Sequence, residues 1–329
     1  MNRPALLLTL LALAAGVAMS LAAGCGGGGG APLEVGILQF GPDPTIDRAR
    51  QGVVEALAEA GYVHGQLVDL EFGQGSGNYA ETRAIARRFA EEPKDLIIAL
   101  TTPGLQAAIS TRTSVPIVFA AVYDPYRAGA ATTAVDHLPT VCGVASFPPV
   151  AETLKLAREL VPGLSRVGTI RHPSEVCSAS SLNVAREVSA AMGIELVEAT
   201  VDRPAEVGAA AERLAAEGID LFYITGDNTV LLNFEAVVAT ARRRRVPLVI
   251  NDNDLCPRGA AASMGFNFYR SGLAGGRLAA RVLGGEDPSG IPIETVVVQE
   301  LWVNPVEARR QGLEIPPGLL ARADRVVEP

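Results

Sequence analysis

LIIAL (residues 96–100) and VPIVFAAV (115–122) are apolar runs with no charged residue inside them, separated by TTPGLQAAISTRTS. A strand that is apolar on both faces is buried on both, the setting of a parallel sheet covered by helices. Parallel neighbours cannot be joined by a tight turn; the chain must cross over, normally through a helix. The segment between the two runs suits that role, with Pro103 at a first-turn position where its missing N–H leaves nothing unsatisfied. The same alternation starts at Leu33. LEVGILQF reads as a strand, and TIDRARQGVVEALAEAG as a helix with Ile46, Ala49, Val53, Val54 and Leu57 at helical spacing and Gly61 as its stop. LVDLEFG and NYAETRAIARRFAEE continue as strand and helix.

After Cys142 the pattern restarts. VAETLKLARELVPG, RVGTIR, SSLNVAREVSAAMG, IELVEATV, PAEVGAAAERLAAEG, DLFYIT, NFEAVVATARRRR and VPLVIND alternate helix and strand. The halves share punctuation: KDLIIALTTP is matched by IDLFYITGDN, and SVPIVFAAVYDP by RVPLVINDND. The expected fold is α/β, with two similar doubly wound parallel-sheet lobes. The 329 residues accommodate two domains of about 150 each.

In open parallel sheets, ligands bind beyond the carboxyl ends of the strands. The loops there carry Gln39, Phe40, Thr101, Thr102, Tyr123 and Asp124 in the first half. In the second they carry Arg171, Glu175, Ser178, Asp227, Asn228 and Asp252. Asp124 and Asp227 are suited to an ammonium group through charge-assisted hydrogen bonds. The hydroxyls and backbone N–H groups from Thr101 to Gly104, opening a helix, suit a carboxylate. Gln39 and Asn228 both donate and accept, and Phe40 and Tyr123 offer rings to an aromatic ligand. The competing role of Thr102 and Asp227 is capping of helix N-termini.

The first residues set the compartment. Arg3 and the apolar run from Ala5 to Val17 form a secretory signal, and Ala22, Ala23 and Gly24 precede Cys25, the site expected to carry a lipid. Gly26 to Gly30 then provide a flexible tether. This divides the chain into a signal peptide (1–24), a tether (25–32) and the folded body, held extracytoplasmically at the cell envelope. A net charge of −8 argues against nucleic acid as a partner. Cys142, Cys177 and Cys256 are an odd set with no metal-site spacing, and His64, His137 and His172 lie far apart. No G-x-S-x-G elbow or plausible Ser-His-Asp spacing appears, so neither enzyme, metal nor cofactor is expected. GQGSGN (73–78) lacks dinucleotide-loop spacing and reads as a turn. Arg242 to Arg245 suit the negative end of a helix.

The ordered set VGILQF, ARQGVVEALAEAGY, DLIIALTTPGLQAA, VPIVFAAVYDP, GDNTV, VPLVINDND, RGAAASMGFNFYRSGLAGGRLAARVLGGEDPSGIPIE and VNPVEARRQGLEIP resembles the substrate-binding lipoproteins of ABC transporters, a family with tryptophan- and tyrosine-binding members. The resemblance spans about Val35 to Pro316. It implies a type I periplasmic-binding-protein fold, with lobes of 33–143 plus 264–293 and 144–263 plus 294–329 closing about a three-strand hinge. It further implies a monomer that delivers a small molecule, an amino acid or related metabolite, to an ABC permease. A ligand-sensing receptor coupled to a signalling partner is the alternative. After the first strand of the second lobe the family usually has Tyr-Asn-Pro, then Glu and Ser. Pro173, Glu175 and Ser178 match, whereas Arg171 and His172 do not. Arg171 in a cleft loop needs compensation, either from Glu175 or from an anionic group on the ligand.

Overall fold

A computed structural model describes residues 31–295 and 299–328; the signal segment, Cys25 and Gly26 to Gly30 lie outside them. The chain runs β1 (Leu33–Gln39), α1 (Pro44–Glu59), β2 (Val68–Gln74), α2 (Tyr79–Glu91), β3 (Leu96–Leu100), α3 (Thr101–Ser110), β4 (Ile117–Val122) and β5 (Val141–Ala145). It then crosses into α4 (Val150–Leu160), β6 (Arg166–Arg171), α5 (Val176–Ala191), β7 (Glu195–Thr200), α6 (Val207–Ala216), β8 (Leu221–Ile224), α7 (Asn228–Leu231), α8 (Phe234–Arg244), β9 (Leu248–Asp252) and β10 (Ala262–Phe266). It returns as α9 (Phe268–Leu283) and β11 (Glu294–Thr295), and ends with β12 (Glu300–Val303), α10 (Pro305–Arg310), α11 (Pro317–Arg322) and β13 (Arg325–Val326).

Two sheets result. The first has the order β11-β5-β4-β3-β1-β2 and the second β13-β12-β10-β9-β8-β6-β7. Pairing is parallel throughout except between β10 and β12. The inner order 2-1-3-4-5 recurs as 7-6-8-9-10, so both sheets reverse direction of winding at a central strand. Such switch points leave a crevice where flanking loops diverge. It falls after β1 and β3 in one lobe and after β6 and β8 in the other.

The sheets form because apolar runs are buried: β3, β4, β5, β8 and β9 are buried at every residue. Helices on both faces cover them, giving separate apolar cores above and below each sheet. Phe266 ends β10 in the second sheet, while Phe268 begins α9 on the first. The crossing at Asn267 is therefore abrupt. There α9 packs on α1 with nearly bare backbones. A Cβ on Gly272 would lie 2.0 Å from the Ala49 carbonyl, and one on Gly52 would lie 2.3 Å from that of Tyr269. This seam needs glycine on both helices.

Among the described residues no helix is long and apolar enough to cross a membrane. The arginines of 242–244 end α8 and are spent on local pairs, Arg242 with Glu307 and Arg243 and Arg244 with Glu212.

Candidate functional site

The crevice between the two switch points is nearly shut. Its lining includes Thr45, Ile46, Thr101, Thr102, Ala121, Tyr123 and Phe268 from the first lobe and Cys177, Gly226, Asn228 and Leu231 from the second. The cavity left between them is about 10 Å³, room for about one water molecule. Among the described residues, the hydrogen bonds between the lobes around this crevice include three contacts. Tyr79 on α2 donates to Glu175 Oε2 (2.9 Å), and Ser180 on α5 donates to Asp124 Oδ2 (2.7 Å). Arg258 reaches from the second lobe to Asp43 Oδ2 (3.2 Å) and Thr45 Oγ1 (3.0 Å), at the start of α1.

On the first lobe, the backbone turns sharply from β3 into α3. Thr101 takes a left-handed φ of 66°, which costs a residue with a side chain of order 1–3 kcal/mol and clusters at functional sites. No side chain caps α3; Thr101 and Thr102 at its start line the cavity, and the Thr101 hydroxyl is buried without a partner among the described residues. Ala121, also lining the cavity, has a φ of 57°. It marks a bulge where β4 loses register with β5. Ser271 on α9 stabilises the bulge by accepting from the Ala121 N–H (2.9 Å), and its hydroxyl pairs with that of Ser146 (2.9 Å).

On the second lobe the cavity is backed by acid. Glu175 is 1% exposed and Asp227 is 0% exposed, and neither pairs with a Lys or Arg among the described residues. Glu175 accepts from Tyr79, from the Cys177 thiol (3.0 Å) and from the Asn228 amide. Asp227 caps α7, accepting from Thr229 N (3.0 Å) and Val230 N (3.2 Å), and also takes the His172 N–H (2.7 Å). Burial pushes the Asp227 carboxyl up and the nearby Glu175 charge adds to it, against the opposing pull of its hydrogen bonds. Asp252 is likewise buried; one oxygen caps the turn at Asp254 and the other has no partner among the described residues. Burial raises its carboxyl well above the usual range, with Asp254 and Asp43 adding to the rise. The Tyr123 hydroxyl, also without a partner among the described residues, is pushed up by burial first and by the Asp252 charge second.

The other sequence-derived residues fall in different places. Ser178 is buried on α5, donating to the Glu175 carbonyl (3.3 Å). Thr102 lines the cavity without capping a helix. Gln39 is turned into its own lobe, donating to Gly41 O (2.8 Å) and Asp47 (3.1 Å). Phe40 is buried against the Tyr79 ring, 4.7 Å between centroids. Asp124 is held at the cleft edge by Ser180 and by the Arg127 N–H (3.0 Å).

Arg171 does not enter the cleft, and Glu175 does not compensate it. Its guanidinium donates to Glu198 (2.9 Å), which also binds Arg186. The cause is strand alternation. Thr169 stands opposite Glu198 in the β6–β7 register, and Arg171, two residues on, shares that face. We therefore expect Arg171→Gln to change ligand affinity less than twofold. Its stability cost should stay below about 1 kcal/mol, the range for partly exposed ion pairs. Calorimetry and thermal melts check this; a tenfold loss of affinity would return Arg171 to the site.

Sequence reasoning passed over Tyr79, Cys177, Gly226 and Phe268. Cys177 carried a signal, lying two residues after Glu175 at the start of a helix. Tyr79 carried none, since it follows a loop after the second strand and reaches the cleft only across the lobes.

The comparisons agree with this architecture. The family described as ABC transporter substrate binding protein matches residues 34–327. A tyrosine-binding protein of Clostridioides difficile is 29% identical over 270 residues, covering 82% of this chain and 78% of that protein. A solved structure of a conserved domain protein from Vibrio cholerae superposes with a TM-score of 0.86 at 30% identity, covering 90% of this chain and 99% of that one. A Streptococcus pneumoniae ABC domain solved with L-Trp gives the same TM-score at 23% identity, covering 90% and 100%. The two-lobed type I periplasmic-binding fold and the match from residue 34 to 327 place the chain in the ABC transporter substrate-binding protein family.

Proposed function

We propose that the protein is an extracytoplasmic solute receptor, anchored through a lipid on Cys25, that closes its lobes on an amino-acid-like ligand and presents it to an ABC permease. The observation that carries the ligand class is the pair of buried carboxylates, Glu175 and Asp227, with no Lys or Arg paired to them among the described residues. Buried charges are retained when paired, and a ligand ammonium is the missing partner. Across the cavity from Cys177, Gly226 and Asn228, which lie in front of these acids, the uncapped N-terminus of α3 with Thr101 and Thr102 is a ready carboxylate site. Asn228, Tyr123 and Phe268 complete the enclosure. Similarity to a tyrosine-binding protein and to a domain holding L-Trp supports the same ligand class.

Ligand that binds only the folded protein stabilises it by mass action, by about 2.7 kcal/mol at a hundredfold excess over Kd. A thermal-shift screen of amino acids, read beside native mass spectrometry of freshly purified protein, should therefore give a hit. A screen with no shift and no retained ligand would overturn the receptor reading. The anchor has its own test, because labelled palmitate should enter the wild type and not Cys25→Ser.

A further inference from the structure

The lobes also meet over a second and larger hollow, of about 570 Å³. The cavity at the switch points, at about 10 Å³, is far below the several hundred Å³ of ordinary ligand pockets, whereas this hollow lies within that range. Tyr123 belongs to both linings, so the two spaces adjoin at its side chain. The hollow has an apolar wall of Phe147, Pro148, Val150 and Val184. Phe147 and Val184 are 40% and 43% exposed, although one face of the Phe147 ring stacks on Tyr126. The charged lining residues, Asp124, Arg127, Arg186 and Glu187, cancel in number.

Helix α5 connects the two spaces. Cys177 lines the inner cavity, while Ser180, Ser181, Val184 and Glu187 line the hollow. Steps of three and four residues keep all of these on one helical face. From Cys177 to Val184 the rise is about 10 Å, at roughly 1.5 Å per residue.

We propose that the hollow seats the apolar tail of an elongated ligand whose charged head is held in the cleft. The ligand class is an amphiphile with an amino-acid head and an apolar or aromatic tail reaching about 10 Å along α5. This rests on the cleft reading given above. The Asp124–Ser180 bond joins two residues of the hollow's lining, and a tail entering from the cleft displaces it.

The test is calorimetry with L-alanine, L-tryptophan and the dipeptide L-alanyl-L-phenylalanine on the wild type, Val184→Trp, Phe147→Ala and Glu175→Gln. The wild type should bind both ring-bearing probes at least tenfold tighter than L-alanine. Val184→Trp, which fills the hollow from an exposed helix position, should erase that preference and leave L-alanine affinity and the melting temperature unchanged. Phe147→Ala should reduce the preference, and Glu175→Gln should weaken all three probes alike. If both hollow variants keep the preference while Glu175→Gln weakens every probe, the tail site is overturned and the cleft reading stands. If Glu175→Gln changes nothing, the head is not held in the cleft and both fail. A wild type that binds none of the probes, or all equally, also overturns the proposal.

Discussion

Glu175→Gln should lower affinity for an ammonium-bearing ligand by about a hundredfold, the scale of a lost charge-assisted hydrogen bond, while the fold remains intact. The local geometry tolerates the change. The remaining amide oxygen still accepts from Asn228 and Cys177, and the Tyr79 hydroxyl can rotate to accept from the new NH₂ in place of donating. What disappears is one of two buried negative charges. The empty protein should gain stability at neutral pH and above, because Glu175 contributes to raising the Asp227 carboxyl. An acid whose folded pKa lies above its unfolded value, near 3.9, contributes stability below that value and loses it as pH rises through the folded pKa. The empty wild type should accordingly lose stability with rising pH across that window. Ligand affinity should rise over the same window, since the ammonium binds ionised carboxylates. In Glu175→Gln both trends should flatten. A variant that binds amino acids like the wild type, with an unchanged pH profile of melting, would remove Glu175 from the site.

Gly226→Ala should disable closure and leave each lobe folded. Gly226 follows β8 in the second lobe, and a Cβ there would lie 2.0 Å from the Tyr123 hydroxyl and 2.1 Å from two of its ring carbons, all in the first lobe. Tyr123 is buried and edge-on to Phe266 (5.6 Å between centroids, 79° between planes), so on that side the ring cannot yield without disturbing its packing. Overpacking of this kind costs roughly 1–3 kcal/mol, and here the cost falls only on the closed arrangement. Apparent affinity scales with the fraction able to close, so ligand binding should weaken by about ten- to a hundredfold. The melting temperature of the empty protein should change little. Small-angle scattering should show the wild type contracting on ligand addition and the variant remaining extended. Undiminished binding with normal contraction would mean that the two lobes do not meet at Gly226 in the liganded state.

The mutations act on different links of the same chain of causes. Glu175→Gln changes a charge and keeps the shape, whereas Gly226→Ala changes the shape and keeps the charges. The two positions share the Cys177 thiol, whose single proton lies within reach of Glu175 Oε1 (3.0 Å) and of the Gly226 carbonyl (3.2 Å). A double variant therefore need not be additive, as expected for residues sharing a partner.

The architecture was legible in the sequence because it is written locally. Runs such as LIIAL and VPIVFAAV state burial on both faces. Helical spacing in α1 states one buried face, and the echo between KDLIIALTTP and IDLFYITGDN states that the unit is doubled. The rule that ligands gather beyond strand carboxyl ends then directs attention to Thr101, Glu175 and Asp227, each one to four residues past a strand. What the sequence could not supply were partners chosen by geometry between distant segments. Arg171 belongs to Glu198 because of a strand register, and Tyr79 meets Glu175, 96 residues away, because two lobes close. Gly226 matters because a tyrosine from the other lobe occupies the space of its missing side chain. Local propensity and hydrophobic period fix which face of an element is buried, but not which side chains from elsewhere will cover it. That pairing depends on packing across the lobes, and only the tertiary structure decided it.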